Sequence, residues 1–280
     1  MKKKIIITHT IILFSLIIAC NSTKQLYIYS DNEQIITEKT TITLKTNSNV
    51  NSIKGKIKTR GGSSMKFPKK SYEIDLIDDE KICNIPKDDD YILNANFIDK
   101  TFLRHVVSYD LFREMDKKNI APLTQYIELF INESYQGLYV IMEKLDKSTL
   151  KIETKDSLSV VFKEPHLFRT DLSNITPQIK TNFHQQTYPK IETLDKTIFL
   201  NQIRDFIITS NDTSFNRQIN NIFDIKNIID WHLLLLITNN SDGILKNFYL
   251  YKQNEETPIR ISPWDYDHSF GRDGDNEINI

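Results

Sequence analysis

Two short acidic motifs near the C-terminal end of the sequence have the residue types of a phosphoryl-transfer centre. Asp242 and Asn247 stand five residues apart, which is the spacing between the catalytic aspartate and the metal-binding asparagine of a kinase catalytic loop. Asp265 and Asp267 follow one predicted hairpin later, where such an enzyme keeps a metal-binding aspartate. Together the motifs predict phosphoryl transfer from a metal-bound nucleotide.

Each of these four residues has a candidate role. Asp242, predicted in a turn after a buried helix, would accept or orient the proton of the attacked hydroxyl, and Asn247 would offer its amide oxygen to a divalent ion. Asp265 and Asp267 are two residues apart, so on a strand they would share one face. Such hard oxygen ligands suit Mg²⁺ or Mn²⁺. Because exposed Asp-x-Asp pairs are common, the prediction depends on the two motifs occurring together.

A glycine pair in the first third of the sequence is a candidate anion site. Gly61 and Gly62 are two of only seven glycines, and the backbone N–H groups of their turn could cradle a phosphate. The turn has no Gly-Lys-Ser/Thr ending, so it is not a Walker A loop. A plain β-turn with basic flanks is the alternative interpretation. The residues that would contribute to the site are Arg60, Gly61, Gly62, Ser63, Lys69 and Lys70.

The N-terminal residues predict an export signal. Three lysines precede an apolar run over residues 5–19 that is too short for a confident membrane span. The run ends at Cys20 in a sequence typical of a bacterial lipobox. We therefore expect residues 1–20 to act as a lipoprotein signal peptide, with Cys20 acylated and anchored in a lipid bilayer. An uncleaved anchor and a plain secreted chain are the alternatives.

Composition excludes several other classes of function. The formal net charge of −1 gives no electrostatic reason to expect a nucleic-acid partner. If Cys20 is acylated, Cys83 is left alone and no internal disulfide can form. The histidines show no metal-ligand spacing, so we do not expect a zinc site.

The hydrophobic pattern predicts an α+β fold. Residues 21–49 are predicted to be a tether and first strands, and residues 50–280 to be one domain. A helix is predicted over residues 99–117, with Asp99 as its N-cap and an apolar stripe that includes Leu103 and Val107. Asp224 is predicted to cap a second helix whose apolar run, residues 233–237, belongs to the core. Strands are predicted at 26–29, 40–46, 53–59, 71–76, 126–131, 137–142, 247–252 and 259–261, and a further helix at 194–208.

Four segments together resemble the CotH-like atypical protein kinases, a family named for spore coat protein H. The resemblance covers most of residues 50–272 in the order of the family. The segments are Lys58-Thr59-Arg60-Gly61-Gly62-Ser63-Ser64 with residues 68–72, residues 93–104, residues 128–144, and residues 242–251 with Trp264-Asp265-Tyr266-Asp267 and Phe270-Gly271.

The resemblance implies a diverged protein-kinase-like fold, with ATP between a strand-rich N-terminal part and a helical C-terminal part. Asp242 would be the catalytic aspartate. Asn247, Asp265 and Asp267 would hold Mg²⁺ or Mn²⁺. The basic glycine turn would lie near the phosphates. Glu143 and Lys144 would lie near the nucleotide, and the ATP lysine would be Lys69, Lys70 or Lys144.

The same resemblance implies an acceptor protein that carries Ser or Thr, and a location in the bacterial cell envelope, facing the periplasm or the exterior. Two departures weaken the match. Gly62 and Met65 replace residues that are usual in the family, and only thirteen residues follow Asp267, so we expect a truncated C-terminal part. Two alternatives remain open: a non-catalytic surface adhesion or assembly module, and another metal-dependent nucleotide reaction such as adenylyl transfer or hydrolysis.

Overall fold

A computed structural model of the chain describes residues 24–32, 38–47, 49–165, 167 and 185–271. The predicted lipobox and Cys20 lie outside these residues. The described chain forms two compact units, one of residues up to 97 with residues 124–142, and one of residues 98–123 with the residues from 143 onward. The predicted α+β class is confirmed, because the first unit is built on strands and the second on helices with a small sheet.

The first unit is a closed barrel of seven strands. Its order around the barrel is β1-β2-β3-β4-β5-β7-β6, and the parallel pairing of β1 with β6 closes it. Alternate side chains point inward, as the pleat of a strand requires. Ile42 and Leu44 on one strand, for example, are both buried. The strands are β1 (Lys24–Ser30), β2 (Thr40–Thr46), β3 (Asn49–Arg60), β4 (Ser71–Glu80), β5 (Asp88–Asn94), β6 (Thr124–Ile131) and β7 (Ser134–Glu143).

The second unit combines helices with a four-stranded sheet in the order β11-β10-β8-β9. Within the described residues, no helix is long and apolar enough to cross a membrane. The helices are α1 (Arg104–Met115), α2 (Thr197–Thr209), α3 (Asp212–Ile222), α4 (Ile225–Thr238) and the short α5 (Asp242–Leu245). The strands are β8 (Val160–Lys163), β9 (Gln185–Tyr188), β10 (Phe248–Lys252) and β11 (Arg260–Pro263).

Helix α1 differs from its prediction in both length and face. It begins at Arg104 rather than at residue 99, and its N-cap residue is Leu103, which makes no side-chain capping bond. Leu103 and Val107 of the predicted apolar stripe are 51% and 40% exposed. The buried face instead carries His105, Ser108, Tyr109 and Phe112. The pattern of apolar residues failed here because aromatic and polar side chains fill the buried face.

Helix α4 agrees with its prediction at its start and only partly along its length. Asp224 caps the helix by accepting a hydrogen bond from the Asn227 backbone N–H. Leu234 and Leu235 are buried, as expected for a core run. Their neighbours Leu233, Leu236 and Ile237 are 44%, 64% and 55% exposed, so the run lies across the boundary between the core face and the solvent face.

The hairpin of β10 and β11 is confirmed, but the acidic pair does not lie on a strand. Strand β11 ends at Pro263, so Asp265 and Asp267 belong to the following segment, residues 264–271, which we call the acidic loop. Asp265 has a left-handed backbone with φ of 56°. The prediction that strand alternation puts both carboxylates on one face was therefore wrong.

Candidate active site

The β10–β11 hairpin brings Asn247 next to the start of the acidic loop. Phe248 pairs with Pro263 across the hairpin, and the Trp264 backbone N–H donates to the Asn247 carbonyl oxygen over 2.9 Å. Asn247 thus lies opposite Trp264, the residue before Asp265, although Asn247 and Asp265 are eighteen positions apart in the sequence. The hairpin unites one member of each predicted motif.

A buried asparagine fixes the hairpin to helix α4. The Asn227 side-chain oxygen accepts from the Ile261 N–H over 2.7 Å, and its amide nitrogen donates to the Ile261 carbonyl over 3.1 Å. The same nitrogen donates to the Asn119 side chain over 2.9 Å. Because Asn227 is 1% exposed, these bonds also satisfy polar groups that would be costly to bury alone. Helix α4 therefore sets the position of the strand that leads into the acidic loop.

Four of the eleven left-handed non-glycine residues in the described part of the chain lie at or near this hairpin. Asn247, Asp265, Phe270 and Asn239 have φ values of 64°, 56°, 54° and 49°. Asn and Asp tolerate this region better than other non-glycine residues, whereas an aromatic residue there is strained. Strain of this kind persists where surrounding contacts impose it, and it is concentrated at functional sites. The outliers thus mark the acidic loop as a candidate site.

Helix α1 contacts Asp265 at two points. The Tyr109 hydroxyl accepts a hydrogen bond from the Asp265 backbone N–H over 3.0 Å. The Nε2 atom of His105 lies 3.4 Å from Asp265 Oδ1. His105 is 2% exposed, whereas the Asp265 side chain is 52% exposed. One carboxylate oxygen therefore faces a buried ring while much of the side chain remains open to solvent.

The electrostatic surroundings of His105 are acidic. Burial alone would lower the pKa of His105, but its hydrogen bond with Asp265 and the negative charges of Asp267, Asp265 and Asp99 outweigh burial, and the pKa is raised. Burial, and next the charge of Asp265, raise the pKa of the Tyr109 hydroxyl well above its ordinary value, so Tyr109 stays neutral at physiological pH. A neutral hydroxyl is the form that can accept the Asp265 N–H bond while keeping its own proton.

A second anchor holds the far end of the acidic loop. Asp99 is fully buried and accepts hydrogen bonds from Thr101 and from the backbone N–H and guanidinium of Arg104. Arg104 Nε in turn donates to the Ser269 carbonyl oxygen over 2.9 Å. Burial would raise the pKa of Asp99, but these hydrogen bonds and the Arg104 charge lower it instead. The first turn of α1 thus fixes the loop at both residue 265 and residue 269.

Asp242 begins α5 directly after the end of α4. The Phe270 N–H donates to the Thr238 carbonyl oxygen, so the acidic loop also reaches this end of α4. Asp242 Oδ2 lies 2.9 Å from Lys246 Nζ, and the two side chains are 37% and 53% exposed. A Cβ atom on Gly243 would lie 2.4 Å from Leu235 Cδ2, so the approach of α5 to α4 requires glycine. Asp242 and the acidic loop therefore both adjoin the C-terminal end of α4.

The oxygen donors of this region fit a partly hydrated divalent ion. Magnesium retains several waters and commonly takes one or two carboxylates together with substrate phosphates. Asn247 is 5% exposed. The Asp265 and Asp267 side chains are 52% and 22% exposed, so both acidic side chains are partly accessible to solvent. Among the described residues, the oxygens of Asp242, Asp265 and Asp267 do not form a three-carboxylate group within 4.8 Å. The arrangement fits an ion completed by water and phosphate better than an all-protein cage.

A different acidic group lies on the barrel. Glu73, Asp75 and Asp90 bring their carboxylate oxygens within 4.8 Å of one another. Lys39 lies 2.6 Å from Asp75, and Lys58 lies 3.3 Å from Glu73. Lys58 on β3 and Glu73 on the neighbouring strand β4 stand opposite each other as a cross-strand charge pair, and Lys39, just before β2, pairs with Asp75.

The predicted glycine turn of the first unit is present in the structure, and of its two glycines only Gly61 is required by the backbone. Gly61 has φ of +122°, and a Cβ there would lie 1.9 Å from Ser64 Oγ. A Cβ on Gly62 would meet nothing within 4 Å. Residues Ser63–Lys66 then form one turn of 3₁₀-helix. The glycine at position 61 is therefore a steric requirement of the turn itself.

The predicted lysines of the glycine turn have different surroundings. Lys69 Nζ donates to the carbonyl oxygens of Ala95, at 3.0 Å, and Leu138, and lies 4.2 Å from the centre of the Tyr139 ring. Lys70 Nζ donates to the Met65 carbonyl over 2.7 Å and so caps the turn. Arg60 ends strand β3, immediately before the glycine pair. Of the two lysines, Lys70 is the one that supports the turn.

Glu143 and Lys144 lie where the chain leaves β7. Glu143 forms two hydrogen bonds with Leu123, its N–H donating to the carbonyl over 3.1 Å and its carboxylate accepting from the N–H over 2.8 Å. The Lys144 carbonyl oxygen accepts from the Thr149 hydroxyl over 2.7 Å. These bonds fix the segment locally, and the predicted nucleotide contacts of both residues stay predictions.

Sequence reasoning missed His105 and Tyr109. The spacing of the histidines predicts no zinc site, and the sequence pattern connects neither His105 nor Tyr109 with the acidic pair. The signal that indicates them is the helical spacing of residues 105, 108, 109 and 112, which defines one face of α1. No local pattern connects this face with a loop 156 residues further along the chain.

These observations define an α+β protein with a seven-stranded barrel and a helix-supported acidic loop. The family model described as CotH kinase protein matches residues 57–279, and the chain belongs to this family. The inner spore coat protein H of Bacillus subtilis (strain 168) is 25% identical over 215 residues, which cover 76% of this chain. The matched region covers 58% of that relative's length.

Proposed function

We propose that this chain is a lipid-anchored, exported kinase with a diverged kinase-like fold that transfers phosphate from ATP to Ser or Thr of a protein. The reaction requires Mg²⁺ or Mn²⁺. Membership of the CotH kinase protein family supports the reaction class. The lipobox at Cys20 supports the anchor.

One observation carries the proposal. Asn247 and Asp265, from two separate motifs, lie at the same end of the β10–β11 hairpin, joined by the bond from Trp264 to the Asn247 carbonyl. Both have left-handed backbones, with φ of 64° and 56°. Two oxygen-donor residues in this conformation, one of which has a half-exposed carboxylate, supply the chemistry of a divalent-ion site.

In this proposal, different residues of the second unit have different roles in phosphoryl transfer. Asn247, Asp265 and Asp267 would hold the ion, which neutralises charge on the transferring phosphate. Asp242 would orient the acceptor hydroxyl and take its proton. Lys246, 2.9 Å from Asp242, would fix the direction of that carboxylate.

We also propose that the glycine turn of the first unit binds phosphate. The N–H groups that follow Gly61 and the charges of Arg60 and Lys70 supply suitable donors. Lys69, Glu143 and Lys144 remain proposed nucleotide contacts on the family resemblance alone. The spore coat name of the relative supports a cell-envelope or coat location.

A non-catalytic assembly module is the second candidate. The pairing of Asp242 with Lys246 favours it, because the lysine occupies a carboxylate oxygen that would otherwise be available to an acceptor hydroxyl. The two candidates differ in turnover, which can be measured directly.

The test is incubation of the purified chain with ATP and Mn²⁺, with and without a basic protein acceptor, followed by intact-mass measurement. Asp242→Ala and Asp265→Ala are measured in parallel, and Asp110→Ala is the matched exposed control. We expect a phosphoryl increment that is lost in both site variants and kept in the control. An adenylyl increment would replace the proposed reaction with adenylyl transfer, and no increment would favour the assembly module.

A further inference from the structure

We infer that His105 and Tyr109 are positioning residues for the metal-binding role of Asp265, which rests on the proposed function. They stand four residues apart, so both side chains leave the same face of α1. Tyr109 holds the backbone of Asp265, and His105 holds its carboxylate. Two contacts from one rigid helix therefore fix both ends of a single residue.

The backbone contact counteracts an unfavourable conformation. Asp265 has φ of 56°, which a non-glycine residue adopts only where its surroundings impose it. The Tyr109 hydroxyl accepts the Asp265 N–H over 3.0 Å, and Tyr109 is itself fully buried. Its ring packs edge-on against Tyr266, with centroids 6.3 Å apart. Because Tyr109 is packed in the core, its hydroxyl is held in place as the acceptor of the Asp265 N–H.

The side-chain contact restricts the orientation of the Asp265 carboxylate. His105 Nε2 lies 3.4 Å from Oδ1, and the ring is buried with an edge-on contact to Tyr109 at 5.8 Å. The Asp265 side chain is 52% exposed although its Oδ1 atom faces this buried ring. Ligand-orienting contacts of this kind commonly change metal affinity by 10–100-fold when removed.

The test measures Mn²⁺ affinity by titration calorimetry on the full chain and on four variants. His105→Leu removes the donor, His105→Gln keeps a side-chain N–H, and Tyr109→Phe removes only the hydroxyl. His232→Leu changes an exposed histidine of α4 and is the matched control. Thermal unfolding confirms that each variant is folded.

We expect His105→Leu to weaken Mn²⁺ binding about tenfold, within the range for removal of a ligand-orienting partner. Tyr109→Phe should weaken it about threefold, and His105→Gln should recover most of the affinity, because each change involves a single hydrogen bond. The control should bind as the unmodified chain does. Unchanged or tighter binding in both His105→Leu and Tyr109→Phe would overturn the inference.

A second readout separates this inference from the proposed function. Amide hydrogen exchange at Asp265, measured by NMR without metal, should be faster in Tyr109→Phe because the N–H loses its acceptor. If the unmodified chain does not bind Mn²⁺, the metal role and the proposed function fail together. Faster exchange would then still show that α1 holds Asp265, and unchanged exchange would refute the positioning as well.

Discussion

The buried carboxylate of Asp99 should contribute strongly to the stability of the second unit. Asp99→Asn keeps the shape of the side chain but removes its charge and places an amide N–H₂ group against the Arg104 donors. Asp99 is fully buried, and the Arg104 side chain is 19% exposed. Hydrogen bonds to charged groups contribute about 1.5–3 kcal/mol each and are not additive. Loss of one partner of a buried pair costs about 3–5 kcal/mol.

We therefore expect Asp99→Asn to lower the free energy of unfolding by about 3 kcal/mol at pH 7. The assay is urea denaturation followed by tryptophan fluorescence. Asp110→Asn is the control, because Asp110 also pairs with an arginine of α1 but is 56% exposed. An exposed pair is worth less than about 1 kcal/mol, so the control should change little.

The difference in free energy of unfolding between the unmodified chain and Asp99→Asn should change with pH in one direction. The pKa of Asp99 is lowered in the folded protein, so its carboxylate form stabilises the fold above the unfolded pKa, about 3.9. That stabilisation is lost as pH falls through the folded pKa. The gap between the unmodified chain and Asp99→Asn should therefore be full at pH 7 and shrink in acid. A gap below about 0.5 kcal/mol at pH 7, or one that grows in acid, would refute the reasoning.

Four further substitutions test local features of the structure. Gly61→Ala should destabilise the barrel by about 1–3 kcal/mol, since φ is +122°, and Gly62→Ala should cost less; equal effects in denaturation would contradict this. Gly243→Ala should cost about 1–3 kcal/mol by overpacking against Leu235, and an increase in Tm would contradict it. Lys246→Ala should change stability by less than about 1 kcal/mol, since the pair is exposed. It should nevertheless slow phosphotransfer about tenfold or more; an unchanged rate would exclude a role in orienting Asp242.

Most of the strands could be predicted from the sequence because alternation is a local signal, but β5, β8 and β9 lay outside the predicted strands. Alternating residues such as Ile42 and Leu44 determine the inward face of a strand whatever it pairs with. The N-cap at Asp224 is likewise a short-range interaction with Asn227. The barrel closure is different, since the parallel pairing of β1 with β6 joins residues about 100 positions apart.

The proximity of Asn247 to the acidic loop could be predicted from the sequence, but the local geometry could not. Asn247 and Asp265 were found from spacing, and their proximity depended on a hairpin that the pattern also predicted. The left-handed conformation of Asp265 was not predictable, because contacts from α1 impose it. The face of α1 was mispredicted for the same reason: His105 and Tyr109 are buried by their partners rather than by hydrophobicity.

The proposed phosphotransfer depends most directly on where a divalent ion binds. Paramagnetic broadening of backbone amide signals by Mn²⁺ in the presence of ATP measures this location residue by residue. We predict selective broadening at Asn247 and over the acidic loop, with loss of that broadening in Asp265→Ala. Broadening confined to Glu73, Asp75 and Asp90 on the barrel, or unchanged by Asp265→Ala, would contradict the assignment of the acidic loop as the metal site.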